Sequence, residues 1–97
     1  MKPEKLYTVV LDYAGGTYIA QVQASSPATA LSKWVSTIRK EDAAEWGIRR
    51  KELAEIIRGQ EVIPLDGCVN VWCVCGTLRS DLALINVIAT AKSRDTK

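Results

Sequence analysis

The sequence predicts a two-layer α+β domain of order ββααββ, with a mainly antiparallel four-stranded sheet and the helices packed on one face. Three patterns lead to that expectation. Residues 6–24, LYTVVLDYAGGTYIAQVQA, alternate apolar and polar side chains on either side of a Gly-Gly pair. Residues 25–40 open on a Ser-Pro cap and then repeat apolar residues at helical spacing. Residues 69–75 and 82–90 form a second pair of β-rich runs.

The first pair of runs reads as a hairpin, because Gly15 and Gly16 suit the positive φ angles of a two-residue primed turn. With those glycines at the tip, Tyr13 faces Tyr18, Leu11 faces Ala20, Val9 faces Val22 and Tyr7 faces Ala24, so that one face is apolar throughout. Thr8, Val10, Asp12, Ile19, Gln21 and Gln23 fall on the other face and are expected toward water. Ser26 then suits an N-cap, and Pro27 suits the first helical position, where a missing N–H is harmless. Leu31, Trp34, Val35 and Ile38 make the stripe that covers the hairpin. Lys33, Ser36, Thr37 and Lys40 point away from it.

Residues 41–48 carry a weak signal, with Asp42 suited to a cap and Gly47 to a break. Residues 49–59, RRKELAEIIRG, predict a second helix with Leu53, Ile56 and Ile57 inward and Gly59 as its stop. Pro64 and the Asp66-Gly67 pair then make residues 61–67 an extended connection. A third strand over 69–75 and a fourth over 82–90 follow, joined by TLRSD read as a five-residue loop. Pairing Cys75 with Ala83 places Cys73 against Ile85, Val71 against Val87 and Val69 against Ala89, again one apolar face. The order hairpin, then capped helix, over residues 8–34 is similar to the opening of HicB-type antitoxins, which are small partner-binding proteins of bacteria. The similarity rests on generic ββα features. No proline-glycine-cysteine loop separates the second strand from the helix, so the chain is not assigned to that family.

At 97 residues the chain is expected to be one domain, residues 1–97, burying roughly 65% of its unfolded surface, with residues 91–97 as a frayed polar tail. Its net charge of +2 is far from the basic balance of a dedicated polyanion binder. The apolar run at 82–89 is too short to span a bilayer, and the opening residues lack the apolar centre of a signal peptide. The expectation is a cytoplasmic protein with reduced cysteines and no membrane partner.

Cys68, Cys73 and Cys75 are the residues that most invite chemistry. Tetrahedral zinc sites favour cysteines two to four residues apart in two sets, and the chain has no histidine to complete one. A three-cysteine site would need a carboxylate or a second subunit. A redox pair of the thioredoxin type would need two intervening residues and a helix start. The expected role of Cys73 and Cys75 is therefore to line the core face as small apolar groups. No metal and no cofactor are expected.

Catalysis lacks a usual general base, since histidine is absent, and no Gly-rich phosphate loop or nucleophile elbow occurs. Asp12, Asp66 and Asp81 all sit where aspartate ordinarily makes turns. No catalytic residue is assigned. Trp72, Val74, Leu84 and Ile88 instead fall on the face of the second ribbon that the first helix does not cover. An uncovered apolar patch of that kind marks an interface, unless the second helix or the connection crosses to it. The expected function is thus a small protein-interaction module, a homodimer or a partner of another small protein. The alternative is weak nucleic-acid binding by Arg49, Arg50 and Lys51 with Trp72 as a stacking platform. Six cations between residues 39 and 61 are matched there by six carboxylates, so the segment is neutral.

Overall fold

The computed structural model describes residues 3–90, and the predicted tail at 91–97 lies outside them. Strands β1 (Lys5–Tyr13) and β2 (Gly16–Ala24) form the first hairpin. Helices α1 (Pro27–Thr37), α2 (Lys40–Glu45) and α3 (Arg50–Gly59) follow. Strands β3 (Ile63–Pro64), β4 (Val71–Leu78) and β5 (Asp81–Thr90) complete an antiparallel sheet of order β2-β1-β5-β4-β3. The protein is α+β, with five strands and three helices among the described residues where four and two were expected.

Both additions have simple causes. The extended connection before Asp66 pairs with β4 through Ile63↔Cys73 and Pro64↔Trp72, which turns two residues of it into an edge strand. α2 is six residues long, too short to display a helical period. Its first turn carries Glu41 and Asp42, whose charges suit a helix start, and Gly47 at φ +84° ends the segment. Asp42 is not the cap; Arg39 holds that position and reaches Asp42 Oδ2 from Nε at 3.4 Å. α1 starts as its residues dictate, with Ser26 Oγ accepting from the Thr29 backbone N–H at 3.1 Å. Leu31, Trp34, Val35 and Ile38 are all buried. On α3, Leu53 is buried while Ile56 and Ile57 are half-buried, and Gly59 is the last helical residue.

Both hairpins differ in register from the expected pairing, and the two differences have unequal consequences. The first turn is Ala14-Gly15, both at positive φ, so Tyr13 pairs with Gly16, Leu11 with Tyr18 and Val9 with Ala20. That is a shift of two residues along β2, and a shift of two leaves every side chain on its expected face. The second turn is Arg79-Ser80, with φ of 51° and 74°, and not a five-residue loop. Leu78 therefore pairs with Asp81, Val74 with Ile85 and Trp72 with Val87. The shift here is one residue, and it exchanges the faces of β4.

The core lies between the helices and one face of the sheet. Tyr7, Val9, Leu11 and Tyr13 of β1 meet Ala83, Ile85 and Val87 of β5 and Val74 and Leu78 of β4, all buried. Gly76 sits on this face under Ile56, whose atoms lie 3.0 Å from where a Cβ would stand. Tyr13 Oη donates to the Leu78 carbonyl at 3.0 Å, tying β1 to the far end of the second hairpin. Arg79, at the hairpin tip, reaches Glu52 of α3 through Nε at 3.2 Å and Nη2 at 3.1 Å.

Ala14 holds a left-handed backbone at φ 50°, where an L-residue other than Asn or Gly is disfavoured by about 1–2 kcal/mol. Ala14→Asn creates the Asn-Gly pair that primed turns prefer and should raise unfolding free energy by about 0.5–1 kcal/mol. Urea titration reads the change as a higher midpoint at unchanged slope; an unchanged or lower midpoint would refute the turn assignment.

Candidate interaction surface

The face of the sheet opposite the helices is built by three cross-strand rows. Ile19, Val10, Asn86, Cys73 and Ile63 stand side by side across five strands. Gln21, Thr8, Ile88 and Val71 form the next row, and Thr17, Asp12, Leu84 and Cys75 the row on the other side. No described helix packs against these rows. Ile19 is 67% exposed and Ile63 59%, and Leu82 and Leu84 are exposed beside them, although all four are large apolar side chains.

Polar groups on this face largely satisfy one another. Thr17 Oγ1 donates to Asp12 Oδ1 at 2.7 Å, and Gln21 Nε2 donates to Thr8 Oγ1 at 3.0 Å. Thr8 Oγ1 and Thr90 Oγ1 lie 2.6 Å apart, and Thr90 Oγ1 also donates to the Ile88 carbonyl at 3.1 Å. Asp12 is the one charged residue in the three rows. Drying such a face buries a single charge per copy, the Asp12 carboxylate to which Thr17 donates, and few unpaired donors, a condition for a protein contact of useful strength.

The residues expected at the interface divide between the two faces. Leu84 and Ile88 lie on the uncovered face, Ile88 half-buried among its neighbours. Trp72 and Val74 do not: the register places them under the helix layer, where Val74 is 2% exposed and the Trp72 ring meets Tyr7 edge-on at 6.1 Å between centroids. Cys73 and Cys75 make the reverse exchange, leaving the expected core face for the open one. Cys73 is half-buried, and burial, then the neighbouring Cys75, pushes its thiol up from the usual range, so it is a poor nucleophile. Cys68 and Cys75 are exposed, and the three cysteines are free. Among the described residues no group of three or more Cys, Asp or Glu is placed to hold a metal ion.

No protein-family model, curated protein or solved structure matches the chain.

The expected nucleic-acid residues are also only partly assembled. Arg49, Arg50 and Lys51 join Lys40 around a depression of about 440 Å³ floored by Ala43, Ala44 and Ile48. Arg50 Nη1 is held by the Ile38 carbonyl at 3.0 Å. Trp72 does not reach them. α3 begins beside Arg79, and Trp72 stands seven residues back along β4, about 23 Å away at 3.3 Å per residue and on the helix-covered side. Among the described residues no helix is long and apolar enough to cross a membrane.

The Glu52–Arg79 pair fixes the hairpin tip to α3 and so holds the register that defines the surface. The Arg79 hydrogen bonds, and then the Arg49 backbone N–H donating at 2.7 Å, hold the Glu52 carboxyl below the usual glutamate range, and Arg79 is raised in return. A depressed folded pKa gives stability that is complete above the unfolded value and lost as pH falls through the folded one. The melting-temperature gap between wild type and Glu52→Gln should therefore be widest near neutrality and narrow as acid passes below the ordinary glutamate range. A gap that stays constant or widens in acid rules out the pair as its source.

Proposed function

We propose that the protein is a small protein-interaction module and that its uncovered sheet face is the contact surface, with a second copy of the chain as its best-supported partner. The observation that carries this reading is a sheet face with one charge in its three central rows and large apolar groups left exposed. A second copy suits it because the face is mixed and nearly uncharged, so that Asp12 alone sets like charge against like in a two-fold contact. Its size is also adequate. Four long strands of about nine residues, at 3.3 Å rise and 4.8 Å spacing, span about 600 Å². Two such faces bury about 1,200 Å², the lower end of stable interfaces. Packed face to face, two copies form a sandwich with the helices outermost. Three free cysteines support a reducing, cytoplasmic setting.

A second reading, polyanion binding, is supported by the convergence of Lys40, Arg49, Arg50 and Lys51. It predicts oligonucleotide affinity that falls steeply with salt. Titrations that are flat at low salt would end it.

For the first reading, sedimentation at micromolar concentrations should give a multiple of the protomer mass, and Ile88→Lys should reduce it at least twofold. Alkylation of Cys75 should slow where the mass rises, while that of Cys68, away from the rows, should not. Trp72→Ala should instead lower stability, by about 2 kcal/mol, and leave mass unchanged. A wild-type protein that is monomeric at every concentration, or whose mass and Cys75 reactivity ignore Ile88→Lys, refutes the reading.

A further inference from the structure

The sheet has two edges, and they are treated differently. On one side β3 pairs with only Trp72 and Cys73 of β4, and its Pro64 has no N–H to offer a further strand. β2 forms the other with nine residues, GTYIAQVQA, that include no proline and no charge. Long, uncharged, straight edges are the ones that accept another strand.

The hydrogen-bonding phase of that edge follows from the turn. Across a two-residue loop the flanking residues exchange both backbone bonds, so Tyr13↔Gly16 is a bonded pair, and bonded pairs recur at Leu11↔Tyr18, Val9↔Ala20 and Tyr7↔Val22. The residues between them, Thr17, Ile19, Gln21 and Gln23, therefore direct N–H and C=O away from β1. The second hairpin obeys the same rule: with Leu78↔Asp81 bonded, Asn70 should bond toward β5, and the Ala89 N–H does donate to the Asn70 carbonyl at 2.9 Å. On β2 the Gln23 carbonyl is already taken, because Lys33 Nζ donates to it at 2.8 Å. Thr17, Ile19 and Gln21 have no backbone partner on that side among the described residues.

We infer that the β2 edge is a strand-pairing site whose occupant is the β2 edge of a second copy, antiparallel and centred on Ile19. A two-fold axis there sets Ile19 against Ile19 and Thr17 against Gln21. The N–H and C=O groups of Thr17, Ile19 and Gln21 in each protomer then find partners, and the Gln23 carbonyl keeps its lysine. The side chains agree with this register. On the uncovered face the exposed Ile19 side chain meets its copy. On the helix face Tyr18 lies opposite Ala20, large against small, beside a cleft of about 190 Å³ whose walls include Tyr18, Ala20, Trp34, Ile38 and Trp46 together with Thr37 and Asp42. No charged residue of β2 faces another. Joined this way, two sheets become one of ten strands with both uncovered faces on the same side. The edge adjoins the face proposed above and shares Ile19 with it, so Ile88→Lys, which leaves β2 untouched, is the variant that separates the two.

Amide exchange combined with sedimentation tests the edge. At concentrations where the mass is at least doubled, the Thr17, Ile19 and Gln21 amides should exchange on the order of tenfold or more slowly than in dilute protein. Ile19→Lys, which sets two like charges on the axis, should restore fast exchange at all three positions and halve the mass. Ile19→Pro, which removes only an outward N–H, should do the same while leaving the β1–β2 ladder protected. Ile88→Lys should leave the three amides slow. If they exchange at one rate across the dilution series, or if Ile19→Lys changes neither exchange nor mass, the edge inference is wrong. An assembly with fast edge amides that Ile88→Lys breaks keeps the face reading and overturns the edge. An assembly with slow edge amides that ignores Ile88→Lys does the reverse, and a monomer at all concentrations overturns both.

Discussion

The bonded pair Leu78↔Asp81, closed over Arg79 and Ser80, sets the parity of the β4–β5 ribbon and so decides which of its side chains the helices cover. With that pair in place, Trp72, Val74, Gly76 and Leu78 face inward. Three contacts hold it there. Leu78 is itself buried, its carbonyl accepts from Tyr13, and Arg79 is forked onto Glu52. A slip by one residue would push Cys73 and Cys75 under α3, expose Val74 and Leu78 and turn Trp72 to solvent. Burying an aliphatic side chain of this size is favourable by about 1.5–3 kcal/mol, so the slipped state loses several such contributions together. The turn itself is strained, with two non-glycine residues at positive φ. The buried groups beyond it are what hold that conformation.

The helix layer explains why the opposite face is left as it is. α1 lies across β2, β1 and β5, α3 lies over β4, and Trp46 at the end of α2 stacks on Tyr18, so the described helices serve one side of the sheet. Gly76 marks where α3 comes closest, since Ile56 occupies the space a side chain would need. Charge follows the same division. Lysine, arginine and most carboxylates lie on helices, turns and strand ends, where Lys33–Glu4 and Arg79–Glu52 pair. The open face keeps Asp12, and Thr17 donates to it. The basic depression at Lys40, Arg49, Arg50 and Lys51 belongs to the helical side. A contact made through the sheet would leave it free.

How much of this was legible depends on whether the signal was local. Ser26-Pro27 and the stripe Leu31, Trp34, Val35, Ile38 act within one helix, and both read correctly. The first hairpin was misplaced by two residues, because Gly15 and Gly16 each satisfy a primed turn. Gly16 is instead the first strand residue, and the Tyr18 ring lies over it, where a side chain would clash. Even parity hid that error. The second hairpin had no glycine at its tip, so Arg79-Ser80 did not look like a turn. One clue was present: Leu78 is the apolar residue inside TLRSD, and giving it a place in the core forces even-numbered residues of β4 inward and the turn to 79–80. β3 and α2 were beyond local reading, since a two-residue strand exists only through its pairing with Cys73 and Trp72, and six residues hold fewer than two helical turns.

The candidate site followed the same rule. Leu84 and Ile88 fall on the face expected of them, because Ala83, Ile85 and Val87 face inward on β5 in the expected pairing and in the observed one alike. Trp72 and Val74 were misplaced with the ribbon that carries them, and Val10, Ile19, Val71 and Cys73 joined the surface only when the strand order put β1 beside β5. Strand order also creates the two edges. Each β-strand run looks alike in sequence until its neighbours are known, and β2 is an edge only because β1 turns its other side to β5. The unprotected length of β2 therefore matters more than its composition: the same nine residues in the middle of the sheet would be ordinary interior strand, whereas at the rim their Thr17, Ile19 and Gln21 backbone groups face outward with no strand among the described residues to pair with.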